Sequence, residues 1–218
     1  MKILSILLTL SILVSAAPIE NAKKRVALTF DDGPHREYTA KILAVLEKYG
    51  VKATFFVIGQ NAEQYPELIK AEFDAGHEIG NHTYSHKRLG SVDCKGMLEE
   101  IRKTDVIVYN ITGSYPVLFR PPEGKTSSEL EARVFAESKK TVLWTVDTRD
   151  WAHRPLEDIV KTVKNNIKNG SVILFHDYIT PYSVTAEALD RLIPYLIGLG
   201  YEFVTVSELL NINSQISQ

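Results

Sequence analysis

The stretch Val26-Ala-Leu-Thr-Phe-Asp-Asp-Gly-Pro34 decides how the rest of the chain is interpreted. Its first residues are apolar or favour β structure, which predicts a buried strand that ends at Gly33-Pro34. Two carboxylates, Asp31 and Asp32, therefore lie at the end of a strand. Burying two like charges side by side is unfavourable without a cation, but Asp-Asp-Gly-Pro is also ordinary turn chemistry. This stretch alone leaves a metal site and a simple turn as alternatives.

Composition limits the class of protein. The chain has 218 residues, 44% of them hydrophobic, which suffices for one well-packed domain or a compact pair. The formal net charge of -2 gives no electrostatic reason to expect a nucleic-acid partner or an anionic membrane surface. Cys94 is the single cysteine, so we expect no internal disulfide and interpret this residue as a structural or incidental thiol.

The N-terminus has the pattern of a secretory signal peptide. Lys2 precedes an almost wholly apolar run, residues 3–14, and small residues follow at 15–17. The run is too short for a comfortable transmembrane helix, so we predict cleavage after Ala16 and no stable membrane insertion afterwards. An uncleaved membrane anchor is the alternative. We therefore expect a secreted protein of the cell wall or cell surface, with a signal peptide at 1–16, a short N-terminal segment at 17–24, one main domain at 25–210 and a polar tail at 211–218.

Strand and helix patterns alternate along the main domain, which favours a parallel sheet covered by helices, either open or closed into a barrel. The predicted strands after the first are 53–58, 117–119, 141–146, 172–175 and 202–206. The predicted helices are 37–49, 62–75, 91–109, 127–138, 156–168 and 184–199.

Polar residues follow the predicted strand ends at several places. Besides the two aspartates of the first strand, these are His82, Arg120, Asp147, Asp150 and His176. The carboxyl ends of parallel strands form one rim, where sites of α/β folds are built, so we expect these side chains to share one site. We interpret His77 as a structural histidine near that site and Trp144, inside the predicted strand 141–146, as a core residue.

His82 and His86 have the spacing of a metal-binding pair. Four residues is one helical turn, so both imidazoles could bind one Zn²⁺ through nitrogen. A zinc-protease helix would carry its glutamate base directly after the first histidine, where Thr83 stands here, so a base must come from elsewhere. Asp31 and Asp32 are the obvious source. Two histidines and one aspartate would leave room for water, as in catalytic zinc sites.

Taken together, the motifs resemble those of the polysaccharide deacetylase family (carbohydrate esterase family 4). In the family's order they are Thr29-Phe-Asp-Asp-Gly-Pro34, His82-Thr-Tyr-Ser-His86, Phe119-Arg-Pro-Pro-Glu-Gly124, Asp147-Thr-Arg-Asp-Trp151 and Leu174-Phe-His176. The resemblance covers about residues 25–210, which makes this the catalytic domain. It implies an α/β fold, a distorted (β/α) barrel with the site at the C-terminal ends of the strands. It also implies a hydrolase dependent on Zn²⁺ or another divalent metal such as Co²⁺. The expected substrate is an acetylated polysaccharide, chitin or peptidoglycan, which loses N-acetyl groups from N-acetylglucosamine; some members cleave O-acetyl esters.

The resemblance assigns roles by position. The metal ligands would be Asp32, His82 and His86. The acid–base groups would be the base Asp31, Arg120 that holds it, the general acid His176, and Asp150 that orients the acid. The substrate contacts would be Trp151 and Leu174 as apolar walls around the acetyl methyl, with Pro122, Glu123 and Tyr178 nearby.

Glu123 departs from the family pattern, which usually has Tyr at this position. The family uses the backbone N–H of this residue to steady the oxyanion, and any residue supplies that group. A carboxylate nevertheless replaces an aromatic ring, and its charge would oppose the transition state if the side chain reached the cleft. A catalytically weak wall-binding homologue and an O-acetyl esterase are therefore alternatives to the deacetylase.

Overall fold

The computed structural model describes residues 23–212. The expected signal peptide lies outside these residues, as do most of the short N-terminal segment and most of the polar tail. Among the described residues, no helix combines the length and the apolar character that crossing a bilayer requires.

The strands are all parallel and form one sheet. They are β1 (Lys24–Asp31), β2 (Thr54–Val57), β3 (Glu78–Asn81), β4 (Leu118–Phe119), β5 (Lys140–Thr141), β6 (Val146–Asp147), β7 (Ser171–His176) and β8 (Tyr201–Phe203). The order across the sheet is β5-β4-β3-β2-β1-β7-β6, and β8 pairs with the start of β1. The sheet curls into an incomplete barrel, which confirms the expected distorted (β/α) barrel.

Most of the helices cover the outer face of the sheet, whereas the last one packs against the inward-facing residues Ala27 and Phe56. The helices are α1 (Tyr38–Tyr49), α2 (Gly59–Gln64), α3 (Pro66–Asp74), α4 (Cys94–Thr112), α5 (Ser128–Ala136), α6 (Leu156–Asn166), α7 (Thr185–Gly198) and α8 (Val206–Leu209). Local signals set several of their ends. Gly50 takes a left-handed φ of 63° after α1, and the side chain of Asp93 accepts the Gly96 N–H at the start of α4.

Alternation along the strands separates two apolar layers. The outward-facing Phe30 of β1 lies between Phe55 and Phe175, with ring centroids 4.9 and 6.0 Å away, and this layer packs against the helices. The inward-facing Ala27 and Phe56 belong to a smaller cluster inside the curl of the sheet. Apolar side chains therefore fill the interior below the C-terminal ends of the strands, and polar groups occupy the rim at those ends.

The predicted helix 62–75 is wrong, because the structure contains two helices, α2 and α3, with a break at Tyr65. Tyr65 has φ −130° and ψ 58°, and Pro66 begins α3. Proline lacks an N–H and disfavours helical geometry in the residue before it, so the chain turns there.

The predicted strand 141–146 is also wrong. Only its ends are strands, β5 and β6, and residues 142–145 leave the sheet between them. The carbonyl groups of Val142 and Leu143 accept hydrogen bonds from the guanidinium of Arg120 at 3.2 and 3.1 Å. Since β5 and β6 are the two edges of the sheet, residues 142–145 cross the gap between these edges, and Arg120 binds carbonyl groups of the crossing segment.

Candidate active site

Asp31 is held at the end of β1 by Arg120. Arg120 Nη1 donates to Asp31 Oδ1 at 2.7 Å and to Thr29 Oγ1 at 2.8 Å, and both charged side chains are buried. The guanidinium lies 4.0 Å from the ring centroid of Phe56, so its position is fixed on several sides. Asp31 Oδ2 has no such partner and lies 3.8 Å from Nε2 of His82. This carboxylate is therefore oriented by one oxygen and has the other free for chemistry.

His176, at the end of β7, is oriented by Asp150. Its Nδ1 donates to Asp150 Oδ1 at 2.8 Å, and its backbone N–H donates to Oδ2 at 2.8 Å. Thr185 Oγ1 also donates to Oδ2 at 2.9 Å. Burial acts to lower the pKa of His176, but Asp150, with Asp31 and Asp32, outweighs it and raises the pKa to about 9. The ring therefore carries a proton at neutral pH and can present Nε2–H as an acid.

The predicted ligands Asp32, His82 and His86 come together in one cluster. Asp32 Oδ1 lies 3.4 Å from His82 Nε2 and 3.3 Å from His86 Nε2. Two ligands bound tetrahedrally to zinc at ~2.0–2.1 Å would be roughly 3.4 Å apart, so the spacing suits such an ion.

The surroundings of these atoms also suit a cation. Asp32 Oδ1 is buried with no hydrogen-bond partner among the described residues. The Nδ1–H of His82 donates to the Arg120 carbonyl at 2.7 Å, so Nε2 is the ring nitrogen that faces Asp32 and could bind a cation. Burial alone would raise the pKa of Asp32, but His82, His176 and His86 hold it at about 2, so the carboxylate is charged. An anionic oxygen and two imidazole nitrogens form a donor set that fits Zn²⁺ or Co²⁺.

The two histidines do not lie on a helix, contrary to the expectation from their spacing. Residues 82–88 form an irregular loop in which Thr83 has φ 69° and His86 has φ 55°. Asp32 also has a positive φ, 78°, directly after β1. This bend lets the adjacent carboxylates of Asp31 and Asp32 approach the same histidines, although neighbours in a strand point to opposite faces.

Glu123 does not present an uncompensated charge to the site. Its carboxylate accepts from Arg88 Nη1 at 2.8 and 3.1 Å and lies 2.9 Å from Lys125 Nζ, at the exposed rim. These two cations lower the pKa of Glu123 and balance its charge. The expected opposition to a developing oxyanion is therefore offset.

The remaining candidate substrate residues border the site in different ways. Leu174 is buried on the inner face of β7, two residues before His176, and Pro122 is buried beside Glu123. Trp151 follows Asp150 and is 53% exposed, so its ring is available to a ligand. Tyr178 packs edge-on against His35, with ring centroids 4.8 Å apart, at the rim.

Two structural interpretations need correction. His77 is structural, but it lies at the N-terminal end of β3, away from the rim, where its Nδ1 accepts the Ala53 N–H at 3.2 Å. Trp144 lies between β5 and β6 rather than inside a strand, but it is half-buried and packs against the inner apolar cluster, as expected of a core residue. His77 and His82 are close in sequence but lie at opposite ends of β3, because that strand runs between them.

Several supporting residues were not predicted from the sequence. Thr185 and Thr29 bond the acid–base groups, and Glu100 of α4 accepts the Ser85 N–H at 2.7 Å in the histidine loop. Gly33 makes room for the carboxylate of the buried Asp177, since a Cβ at Gly33 would lie 2.0 Å from Asp177 Oδ2. No local pattern indicates these contacts, because each joins residues that are distant in sequence.

The family profile described as "Polysaccharide deacetylase" matches residues 19–143. The chain belongs to the polysaccharide deacetylase family. Among its relatives, the peptidoglycan-N-acetylglucosamine deacetylase PgdA of Listeria monocytogenes is 36% identical over 95% of the chain and 43% of PgdA. The peptidoglycan-N-acetylmuramic acid deacetylase PdaC of Bacillus subtilis is 39% identical over 90% of the chain and 41% of PdaC. The chain therefore spans less than half the length of these two relatives.

Solved structures of similar proteins share the fold. The Bc1960 peptidoglycan N-acetylglucosamine deacetylase superposes with a TM-score of 0.84 and 40% identity, covering 86% of the chain and 88% of Bc1960. A family 4 acetyl xylan esterase from Clostridium thermocellum, in complex with a cobalt ion, superposes with a TM-score of 0.81 and 38% identity. The match covers 87% of the chain and 91% of the esterase chain. BA3943, a pseudoenzyme from Bacillus anthracis, superposes with a TM-score of 0.80 and 33% identity. The match covers 87% of the chain and 66% of BA3943.

Proposed function

We propose that the protein is a secreted, metal-dependent deacetylase that hydrolyses N-acetyl groups of N-acetylglucosamine units in a cell-wall polysaccharide. One observation carries the proposal: Asp31, fixed by Arg120, and His176, fixed by Asp150, flank the Asp32/His82/His86 cluster. Amide hydrolysis needs a base on one side of the carbonyl and an acid for the leaving nitrogen. The arrangement supplies both beside a cation site.

A divalent cation held by Asp32, His82 and His86 would polarise the acetyl carbonyl and acidify an attacking water. Asp31 accepts the proton of that water through Oδ2, the oxygen that Arg120 leaves free. His176 donates a proton from Nε2 to the departing amine, which avoids expulsion of an amide anion. Asp150 accepts the hydrogen bond from Nδ1 of His176, which keeps Nε2, the other ring nitrogen, directed at the substrate. The negative charge of Asp150 also stabilises the protonated ring. Leu174 and Trp151 supply apolar surface for the acetyl methyl.

The named activities of the relatives favour peptidoglycan over chitin as the polymer. PgdA and Bc1960 are peptidoglycan N-acetylglucosamine deacetylases, and PdaC acts on the N-acetylmuramic acid of the same polymer. The signal-peptide pattern of residues 1–16 supports export to the compartment where that polymer lies.

Acetate release from a small glycan panel tests the proposal. The zinc-loaded protein is incubated with peptidoglycan, chitin oligomers and acetylated xylan, and acetate is measured against a chelator-treated sample. Release from peptidoglycan that the chelator abolishes is expected. If no acetylated glycan releases acetate, the proposal is wrong.

An O-acetyl esterase is the second candidate, because the acetyl xylan esterase with 38% identity shares this fold. An ester has a better leaving group and depends less on His176. The same panel separates the two functions: release from acetylated xylan without release from peptidoglycan would favour the esterase.

A wall-binding homologue with weak turnover is less well supported. Its motivation is the carboxylate of Glu123, and the two cations beside this group offset that charge. Binding of the protein to peptidoglycan without acetate release would favour it.

A further inference from the structure

His86 is the less constrained of the two histidines in the metal cluster. The buried His82 is held by the Arg120 carbonyl through its second ring nitrogen. The His86 side chain is 39% exposed, and within residues 23–212 its second nitrogen has no hydrogen-bond partner. Metal-binding histidines usually have such a partner, which fixes the ring. The position of His86 therefore depends on how its loop is held.

Contacts on both sides of His86 tie the loop to the rest of the domain. Glu100 of α4 accepts from the N–H of Ser85, which precedes His86, at 2.7 Å and from Nζ of Lys87, which follows it, at 3.1 Å. Two residues after His86, Arg88 Nη1 donates to both oxygens of Glu123 at 2.8 and 3.1 Å. The loop is thus fastened to α4 and to the segment that follows β4.

The bridge to Glu123 joins two segments that carry site residues. Arg88 belongs to the loop with His82 and His86, whereas Glu123 follows Arg120, which orients Asp31. Lys125 also pairs with Glu123 at 2.9 Å, but it lies on the same segment as Glu123 and crosses to no other. Of these two ion pairs, only the one with Arg88 can fix one segment against the other.

We propose that Glu123 is a positioning residue: by binding Arg88 it holds the loop that carries His86 and so raises the affinity of the site for its metal. The carboxylate that replaces the usual aromatic ring then supports metal binding in this chain. The inference rests on the metal site of the proposed function. It predicts effects on metal affinity before any effect on chemistry.

A purely electrostatic effect would change the affinity for Zn²⁺ in the opposite direction, which gives a test. If Glu123, Arg88 and Lys125 acted only through their electric field, removing either of the two cations would strengthen the binding of Zn²⁺. Arg88→Gln and Lys125→Gln would then both tighten binding. If the bridge positions His86, Arg88→Gln must weaken binding, because the neighbouring loop is released.

The experiment measures Zn²⁺ affinity by competition with a chromophoric chelator for the wild type, Glu123→Gln, Arg88→Gln, the double variant and Lys125→Gln. Exposed ion pairs contribute modestly, so we expect a loss of about two- to five-fold in each single variant of the bridge. The double variant should lose no more than either single variant, because both changes remove the same contact. Lys125→Gln is the matched control and should bind Zn²⁺ at least as tightly as the wild type. Tighter binding by Arg88→Gln, or losses that add in the double variant, would overturn the proposal.

Two further readouts separate positioning from a general loss of structure. The visible spectrum of the Co²⁺-loaded protein reports ligand geometry, and it should change in Glu123→Gln and Arg88→Gln but not in Lys125→Gln. The charge-swapped protein, Arg88→Glu with Glu123→Arg, should recover both affinity and spectrum. A swap that fails to recover either one counts against the bridge. If the wild type itself binds no Zn²⁺, the proposed function fails as well, which distinguishes the two failures.

Discussion

Asp31 and His176 are register partners on the adjacent parallel strands β1 and β7. The proposed base and acid are thus the last residues of neighbouring strands, and both side chains face the interior of the curled sheet. Their separation is set by the spacing of strands rather than by loops, which makes the pair rigid. The metal cluster differs, since two of its three members lie on the irregular loop after β3.

Asp31→Asn should separate metal binding from chemistry. Asparagine keeps the size of the side chain and an acceptor for Arg120, but it cannot take a proton. We expect a loss of ~10²-fold or more in acetate release, the scale of a general base, with zinc content unchanged. Metal analysis of the purified variant beside His82→Ala provides the comparison. Disappearance of zinc from the Asp31→Asn variant would mean that the roles of the two aspartates are not divided as described.

His176→Asn should discriminate between substrates by leaving group. An amine must be protonated as it departs, whereas the phenolate of an activated ester leaves without help. We expect a severe loss of activity on N-acetylglucosamine oligomers and a much smaller loss on an activated acetate ester. Parallel rate measurements on both substrates decide the matter. Equal losses would remove His176 from the acid role.

The alkaline limb of the pH–rate profile should report His176. Because its pKa is raised to about 9, the acid form persists at neutral pH and is lost as pH rises through that value. Asp150→Asn removes the negative charge that stabilises the protonated ring, so the limb should move to lower pH. A profile of kcat/KM against pH for both proteins checks the direction. An unchanged limb in the variant would show that another group controls it.

His77 should make stability depend on pH at the opposite end of the barrel. Burial, with a smaller contribution from Lys52, lowers its pKa to about 4 from the ordinary value of 6.5. The unfolded chain therefore takes up the proton first, and the contribution of neutral His77 declines as pH falls from 6.5 towards 4. Urea unfolding at about pH 7.5 and about pH 5 should show a smaller decrease in the free energy of unfolding for His77→Gln than for the wild type. Equal decreases would indicate that other groups are responsible.

The sequence predicted the rim better than it predicted the loops. Asp31 and His176 could be placed together because an apolar run that ends in a polar residue marks a strand end, and parallel strand ends share one side of a sheet. The loop geometry at His86 could not be predicted, since a four-residue spacing is equally compatible with a helix. The two ends of 141–146 belong to opposite edges of the sheet, and Arg120, which binds carbonyl groups between them, lies 22 residues from Val142, so no local pattern indicates the split.

The partners of Glu123 were beyond the sequence for the same reason. Arg88 is 35 residues away, and nothing in either segment indicates that the two side chains meet. The break at Tyr65–Pro66, in contrast, could have been predicted from the proline. The apolar periodicity of the surrounding residues favoured one continuous helix instead.

A metal titration shows whether acetate release requires the site formed by Asp32, His82 and His86. The protein is stripped with a chelator, Zn²⁺ is added back in steps, and acetate release from peptidoglycan is followed together with bound zinc, with His82→Ala as the control. We expect the stripped protein to be inactive, activity and bound zinc to rise together, and His82→Ala to gain neither. Undiminished acetate release by metal-free protein would show that the hydrolysis does not depend on a metal.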